Sequence, residues 1–187
     1  MFTYFYDGLA HFLFGLLFVL GYVKLTKRSE KPAVIFWIGF LMTSSALFIL
    51  PQRLPFIGNV ANKAYQFLHY PVSDWDILLF GFRWHRFFLT HSLLIPLLAL
   101  AKAGNDERYV PAAHGITIGL ASHLIWDGLT GSAITQIVFL SRYVAISGVL
   151  AKAWLLVNGV GALILLFIAT KVLLRCRQPE VLALPEE

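Results

Sequence analysis

The chain has 187 residues, of which 58% are hydrophobic and 13% are charged, and its mean hydropathy is +0.73. About a quarter of the residues of an ordinary soluble domain are charged, so this composition excludes such a domain and predicts a membrane protein. The formal net charge is +5, and the lysine and arginine residues cluster at the ends of apolar runs, which favours a role in membrane orientation over nucleic-acid binding.

Five apolar runs approach the ~20 residues that a membrane-spanning helix needs. They cover residues 2–23, 33–50, 87–102, 109–127 and 153–174. The third run is short and contains Pro96, which predicts a kink in that helix. The sequence therefore predicts an all-α membrane protein with about five transmembrane helices. A single membrane domain is expected over residues 1–178, followed by a short tail at residues 179–187.

Two long connections separate these runs. In residues 56–70, apolar residues recur at helical spacing with polar residues on the other side, which predicts an amphipathic helix at the membrane interface. Residues 128–150 are apolar but include Gln136 and Arg142. This stretch could form a long hairpin at the outer face or a further span, and the hairpin is favoured.

The distribution of positive charge predicts how the chain is oriented. Lys24, Lys27, Arg28 and Lys31 lie in the first short loop, which the positive-inside rule places in the cytoplasm. With five spans the C-terminus is then also cytoplasmic, and the N-terminus and both long connections lie outside.

Under this topology, eight ionisable residues collect at one face of the membrane. They are Asp7, His11, Asp74, Asp76, His85, His91, His123 and Asp127. The spacing of His123 and Asp127 places both on one stripe of the fourth helix, in line with Gly115 and Gly119. The two glycines allow another helix to approach closely, so the histidine and the aspartate are expected to project into that contact.

Histidine and aspartate are ligands that zinc, manganese or iron accept, and ionisable groups within spans are usually functional. The sequence therefore predicts a divalent-metal site, with zinc as the first choice and room for two ions. The predicted ligands are His11, Asp76, His85, His91, His123 and Asp127. Asp74 is a candidate general base, and Arg86 a candidate for binding an anionic group. His114, at the opposite end of the fourth helix, is predicted to be structural.

Three motifs carry a resemblance to a known family. The stretch HRFFLTHSLL at residues 85–94 resembles the HR-x-x-x-THSLL signature of the YdjM-like family, which comprises LexA-regulated bacterial inner-membrane proteins known as metal-dependent hydrolases. SDWD at residues 73–76 resembles the PD-x-D of the family, and GLASHLIWDGLT at residues 119–130 resembles its G-x-x-SH-x-x-x-D-x-x-T. His11 matches an early histidine of the family.

The resemblance covers roughly the first 130 residues, and Ser73 and Phe87 stand where the family has proline and glycine. It implies a metal-dependent hydrolase in a bacterial inner membrane.

Three functions stay open at this point. A hydrolase acting on a phospholipid or another lipid-linked ester is favoured, because arginine at headgroup depth suits an anionic group. The alternative is a non-catalytic subunit or assembly factor of a larger membrane complex. A transporter is disfavoured, because transport sites usually lie near the midplane. Membrane lipids are the expected partners and nucleic acid is not, while association with further copies of the chain stays open.

Overall fold

The computed structural model describes residues 2–26, 31–43, 56, 58–81, 84–131, 135–141 and 144–181. This part of the chain is mostly helical. Its α-helices are α1 (Phe2–Leu25), α2 (Pro32–Thr43), α3 (Asn59–His69), α4 (Trp75–Phe80), α5 (Leu94–Asn105), α6 (Val110–Thr130) and α7 (Gly148–Val181). Short 3-10 turns precede α4 at Val72–Asp74 and α6 at Glu107–Tyr109. Strands β1 (Gln136–Ser141) and β2 (Val144–Ser147) pair in antiparallel fashion between α6 and α7.

Helix α6 is the centre of the bundle. It is buried along most of its length, and α2 and α7 pack most extensively against it, with α1 and α5 beside them. Leu120 and Leu124 of α6 are fully buried and share one apolar cluster with Leu155 of α7. Polar groups on α6 are consequently shielded from solvent by neighbouring helices on nearly every side.

The glycines of α6 allow the close approach that the sequence predicts, and the partner is α2. A Cβ atom on Gly119 would overlap the backbone carbonyl of Gly39, and one on Gly115 would lie 2.9 Å from the carbonyl oxygen of Ile35. There is no space for a side chain at Gly115 or Gly119 unless α2 and α6 move apart.

Substituting Gly119 with alanine is therefore expected to destabilise the bundle. The added methyl group must push α2 away from α6, and overpacking of this kind lowers the free energy of unfolding by about 1–3 kcal/mol. Gly104→Ala is the matched control, because a Cβ atom at that helical glycine meets nothing within 4 Å. Thermal unfolding of both detergent-purified variants measures the difference, and equal stability would show that the α2–α6 contact is looser than described.

One described helix, α7, is long and apolar enough to cross a membrane, with a mean hydropathy of 2.2 over Gly148–Lys171. Three shorter apolar helical segments, Leu9–Leu25, Pro32–Thr43 and Leu94–Asn105, fall below that length. The helical class is thus confirmed, and among the described residues only one of the five predicted spans corresponds to a helix with the length and composition needed to cross a membrane. The predicted second span continues to residue 50, outside the described residues.

The third predicted run does not begin as a helix. Residues 84–93 form a series of turns, and α5 starts only at Leu94. The prediction of a helix beginning at residue 87, which would include His91, is therefore wrong. So is the prediction of a kink at Pro96, because that proline lies in the first turn of α5, where its missing N–H group costs no helical hydrogen bond.

Strand β1 holds this series of turns in place. The Phe88 N–H group donates to the carbonyl oxygen of Val138 at 2.9 Å, and the Val138 N–H group donates to the carbonyl oxygen of Arg86 at 3.2 Å. The stretch after α6 is thus a β-hairpin in its described part, which agrees with the favoured alternative. The hairpin supplies hydrogen-bond partners for the backbone of residues 84–93, so this apolar segment can remain non-helical.

The amphipathic helix predicted at residues 56–70 is present as α3. Two of its apolar residues are largely exposed, Val60 at 84% and Leu68 at 67%, while Phe67 packs against Trp75. A helix with this pattern and an uncovered apolar face is typical of a membrane surface, which stays a prediction here.

Candidate metal centre

The structure brings the predicted site residues together. They form one cluster to which four parts of the chain contribute. Its members are His11 from α1, Asp74 and Asp76 from the turn before α4 and the start of that helix, His85 and His91 from the turns before α5, and His123 and Asp127 from α6. The side chain of Asp7 lies outside the described residues. The cluster lies at the end of the bundle where α1 begins and α6 ends.

Asp74 is the centre of the first group of atoms. Its Oδ1 atom lies 3.2 Å from His123 Nε2, 3.4 Å from His91 Nε2 and 3.9 Å from His85 Nδ1. Because this one oxygen atom faces nitrogen atoms on two separate segments, it lies between the ligands contributed by α6 and those contributed by the turns before α5.

A second group of atoms adjoins the first through His123. His11 Nε2 lies 3.4 Å from Asp127 Oδ1, and the His11 and His123 rings are 5.3 Å apart between centroids. The ligand atoms of His11, His123 and Asp127 lie within 4.8 Å of one another, as do those of Asp74, His85 and His91. The two groups together offer enough nitrogen and oxygen atoms for two metal ions.

Asp76 fixes the turns that carry the histidines. Its Oδ2 atom accepts hydrogen bonds from the Phe87 N–H group and the Thr90 hydroxyl, both at 2.9 Å, and the residue is fully buried. The same oxygen lies 3.4 Å from His91 Nδ1. A carboxylate behind one ring nitrogen orients the other toward a metal, so Asp76 fits a positioning role at Oδ2 while Oδ1 faces His85 Nδ1 at 3.6 Å.

Helix α7 supports the same turns from the other side. The Trp154 Nε1–H group donates to the carbonyl oxygen of His91 at 3.0 Å, and Asn158 Oδ1 accepts from the Leu93 N–H group at 2.8 Å. Neither residue was predicted to belong to the site. An asparagine in the middle of the helix that is long and apolar enough to cross a membrane was a usable indication, since such a polar group needs a partner.

Several buried atoms of the cluster have no hydrogen-bond partner among the described residues. They are Asp74 Oδ1, Asp76 Oδ1, His91 Nε2, and both ring nitrogens of His123. Buried polar atoms are normally paired, so this group requires an explanation such as an ion. Four-coordinate zinc, with bonds of about 2.0–2.2 Å, separates its ligand atoms by about 3.3–3.6 Å. The 3.2–3.4 Å distances around Asp74 Oδ1 are close to that spacing.

The electrostatics of the two aspartates before α5 also suit cation binding. Burial alone would raise the pKa of Asp74, but the charge of His123 and the closeness of the His123 and His91 rings hold that pKa well below its usual range. Burial likewise opposes ionisation of Asp76, and the closeness of the His85 and His91 rings lowers its pKa. Both side chains are therefore carboxylates near neutral pH, in the form that binds a metal.

Arg86 contacts the cluster from one side. Its Nε–H group donates to Asp127 Oδ2 at 2.6 Å, and within the described part of the chain its Nη atoms make no hydrogen bond. The backbone of Arg86 has a φ of 62°, in the left-handed region that non-glycine residues rarely adopt. Such strain concentrates at functional sites, and here it places the guanidinium beside the metal ligands.

His114 lies apart from the cluster, as the sequence predicts. It packs near the other end of α6, where its Nδ1 atom lies 2.7 Å from the hydroxyl of Tyr22.

A comparison with models of protein families gave no match, and comparisons with curated proteins and with solved structures gave none either.

Proposed function

We propose that the chain is a polytopic membrane protein with about five spans that carries a metal-dependent hydrolase site at its outer face. Each of the five apolar runs overlaps one described helix, and α1, with 24 residues, and α6, with 21, would extend about 36 and 32 Å, enough for a bilayer core. Large apolar side chains such as Leu17 and Val157 are about 70% exposed, which suits contact with lipid.

The metal ligands proposed are His11, His85, His91, His123 and Asp127, with Asp74 shared between the two groups. Asp76 acts mainly as the positioning residue behind His91, and zinc is the first choice for a set of nitrogen and oxygen ligands without thiolate. When bound, such an ion lowers the pKa of a coordinated water toward neutrality and so supplies hydroxide for hydrolysis.

Arg86 is proposed to bind the substrate. Among the described residues its Nη atoms make no hydrogen bond, so their N–H groups can donate to a phosphate or carboxylate in bidentate fashion, while Asp127 holds the Nε side of the guanidinium. At the membrane surface the nearest anionic esters are those of phospholipids, so a phospholipid or another lipid-linked ester is the proposed substrate class. The proposed setting is a bacterial inner membrane, with the N-terminus outside and the C-terminus cytoplasmic.

A single observation carries the hydrolase proposal: the buried and unpaired Asp74 Oδ1 atom surrounded by histidine nitrogens at 3.2–3.9 Å. Unpaired buried polar atoms are costly in an apolar bundle, whereas one metal ion beside Asp74 Oδ1 would satisfy that oxygen and the Nε2 atoms of His91 and His123 together.

The proposal is tested by elemental analysis of protein purified in detergent without chelators, followed by incubation with vesicles of phosphatidic acid, phosphatidylglycerol or uncharged diacylglycerol. We expect one or two equivalents of zinc or manganese and metal-dependent release of a product from an anionic lipid. Bound metal without hydrolysis of any lipid would favour the alternative of a non-catalytic subunit in a larger complex. Metal-free protein would contradict the metal centre itself.

A further inference from the structure

The two groups of metal ligands differ in the charge that surrounds them. We name them the Asp74 group, which is Asp74, His85 and His91, and the Asp127 group, which is His11, His123 and Asp127. A second carboxylate adjoins the Asp74 group, because Asp76 Oδ1 lies 3.6 Å from His85 Nδ1. Among the described residues, histidines are the only ion-pair partners of Asp74 and Asp76. An ion at the Asp74 group is therefore attracted by two carboxylates that no lysine or arginine of the described ranges contacts.

Arg86 offsets the charge of the Asp127 group. Its Nε–H group donates to Asp127 Oδ2 at 2.6 Å, and Asp127 Oδ1 lies 3.4 Å from His11 Nε2. The side chains of Arg86 and Asp127 are 21% and 5% exposed, so salt and water screen this guanidinium less than one on an open surface. A divalent ion bound through Asp127 Oδ1 would share its carboxylate with the guanidinium, and the two positive charges would repel each other.

His123 increases the difference between the groups, because it faces both of them. Its Nε2 atom lies 3.2 Å from Asp74 Oδ1, and its ring centroid lies 5.3 Å from that of His11 and 5.4 Å from that of His91. The residue is 1% exposed, and neither ring nitrogen has a hydrogen-bond partner in the described ranges of the chain. An ion beside Asp74 that binds His123 Nε2 leaves a second ion with fewer ligands, in addition to the repulsion from Arg86.

We propose that the metal centre fills in two steps, and that Arg86 keeps the second ion weakly bound until an anionic phosphate ester binds the guanidinium. The first ion binds at the Asp74 group and the second at the Asp127 group. An ester anion on the Nη atoms would bring a negative charge that offsets the guanidinium, so the second ion would bind more tightly. The second ion would raise the affinity for the anion by the same factor. This regulation rests on the metal centre of the proposed function.

The test is a titration of the full chain in detergent with Co²⁺, followed by the visible absorption of the bound ion and by competition with a chelator. We expect two equivalents whose dissociation constants differ by at least about tenfold. Dimethyl phosphate, an anionic diester, should tighten the second equivalent by about tenfold and leave the first unchanged. Trimethyl phosphate is the matched control, because it has the same ester groups without the charge, and it should change neither equivalent.

Three variants assign the two steps to residues. Arg86→Gln removes the charge and keeps an N–H donor for Asp127, so it should tighten the second equivalent by about tenfold and abolish the effect of dimethyl phosphate. Arg86→Lys keeps the charge and should keep the second ion weak. His11→Ala should lose the second equivalent and retain the first, because His11 belongs only to the Asp127 group.

Several results would overturn two-step filling under the control of Arg86. They are two equivalents of equal affinity in the original chain, a second equivalent that ignores dimethyl phosphate, and one that is unchanged in Arg86→Gln. Because each readout is metal affinity, a failure to hydrolyse lipid would contradict the hydrolase alone. Protein that binds no Co²⁺ would contradict the metal centre and its two-step filling together.

Discussion

Asp74→Asn is expected to empty the metal centre. The amide keeps the size of the side chain but removes the negative charge from the one oxygen that lies within 4 Å of three histidines. Loss of a partner that only orients a ligand costs about 10–100-fold in metal affinity, so loss of a shared anionic ligand should cost at least about 100-fold. Titration against a competing chelator, with elemental analysis of the purified variant, measures the change.

Two matched variants make this result specific. Asp76→Asn should lower the metal affinity by the smaller factor, because the hydrogen bonds that Asp76 Oδ2 accepts hold the turns before α5 rather than the ion. Asp106→Asn, which removes an aspartate that pairs with Arg108 before α6, should leave the metal content unchanged. If Asp74→Asn retained its full metal content, the ligand set built around Asp74 would be wrong even if other histidines bind a metal.

Arg86→Ala is expected to lower kcat/KM for an anionic lipid by about 100-fold, which corresponds to about 2.7 kcal/mol of lost transition-state stabilisation. The guanidinium is the cationic side chain that the described structure places against a proposed ligand, Asp127, and it has donors to spare. Activity on vesicles, compared between anionic and uncharged lipids, measures the loss. A variant equally impaired on both lipids would contradict a role in binding the anionic group.

A further substitution separates the effect of the backbone conformation at position 86 from the effect of the side chain. Arg86→Gly removes the guanidinium but suits the positive φ of 62°, so it should be about 1 kcal/mol more stable than Arg86→Ala at the same loss of activity. Arg108→Ala is the control for a change in net charge, because Arg108 pairs with Asp106 at the far end of α6 and should leave activity unchanged.

The part of the site on α6 could be predicted from the sequence because His123 and Asp127 obey a local rule. Helical spacing alone places His123 and Asp127 on one face of α6, and the two glycines on the same face predict the close helix that shields them. The helix α3 followed equally well from its periodicity. These features depend on residues a few positions apart, which is the range that a single sequence reports.

The course of residues 84–93 could not be predicted in the same way. An apolar composition favours a helix there, and what prevents it is a set of partners far along the chain: Val138 of β1 and Trp154 and Asn158 of α7. The left-handed backbone of Arg86 likewise has no local indication, because neither glycine nor asparagine stands at that position.

The proposed metal ligands come from four separate stretches of the chain: α1, the turn leading into α4, the turns before α5, and α6. An ion held by all of them binds the assembled bundle and has little affinity for the separated helices. Binding and helix association are then thermodynamically linked, and free ion at 1,000 times its dissociation constant would stabilise the assembled form by about 4.1 kcal/mol. The supply of metal would in that case determine the lifetime of the folded bundle as well as its activity.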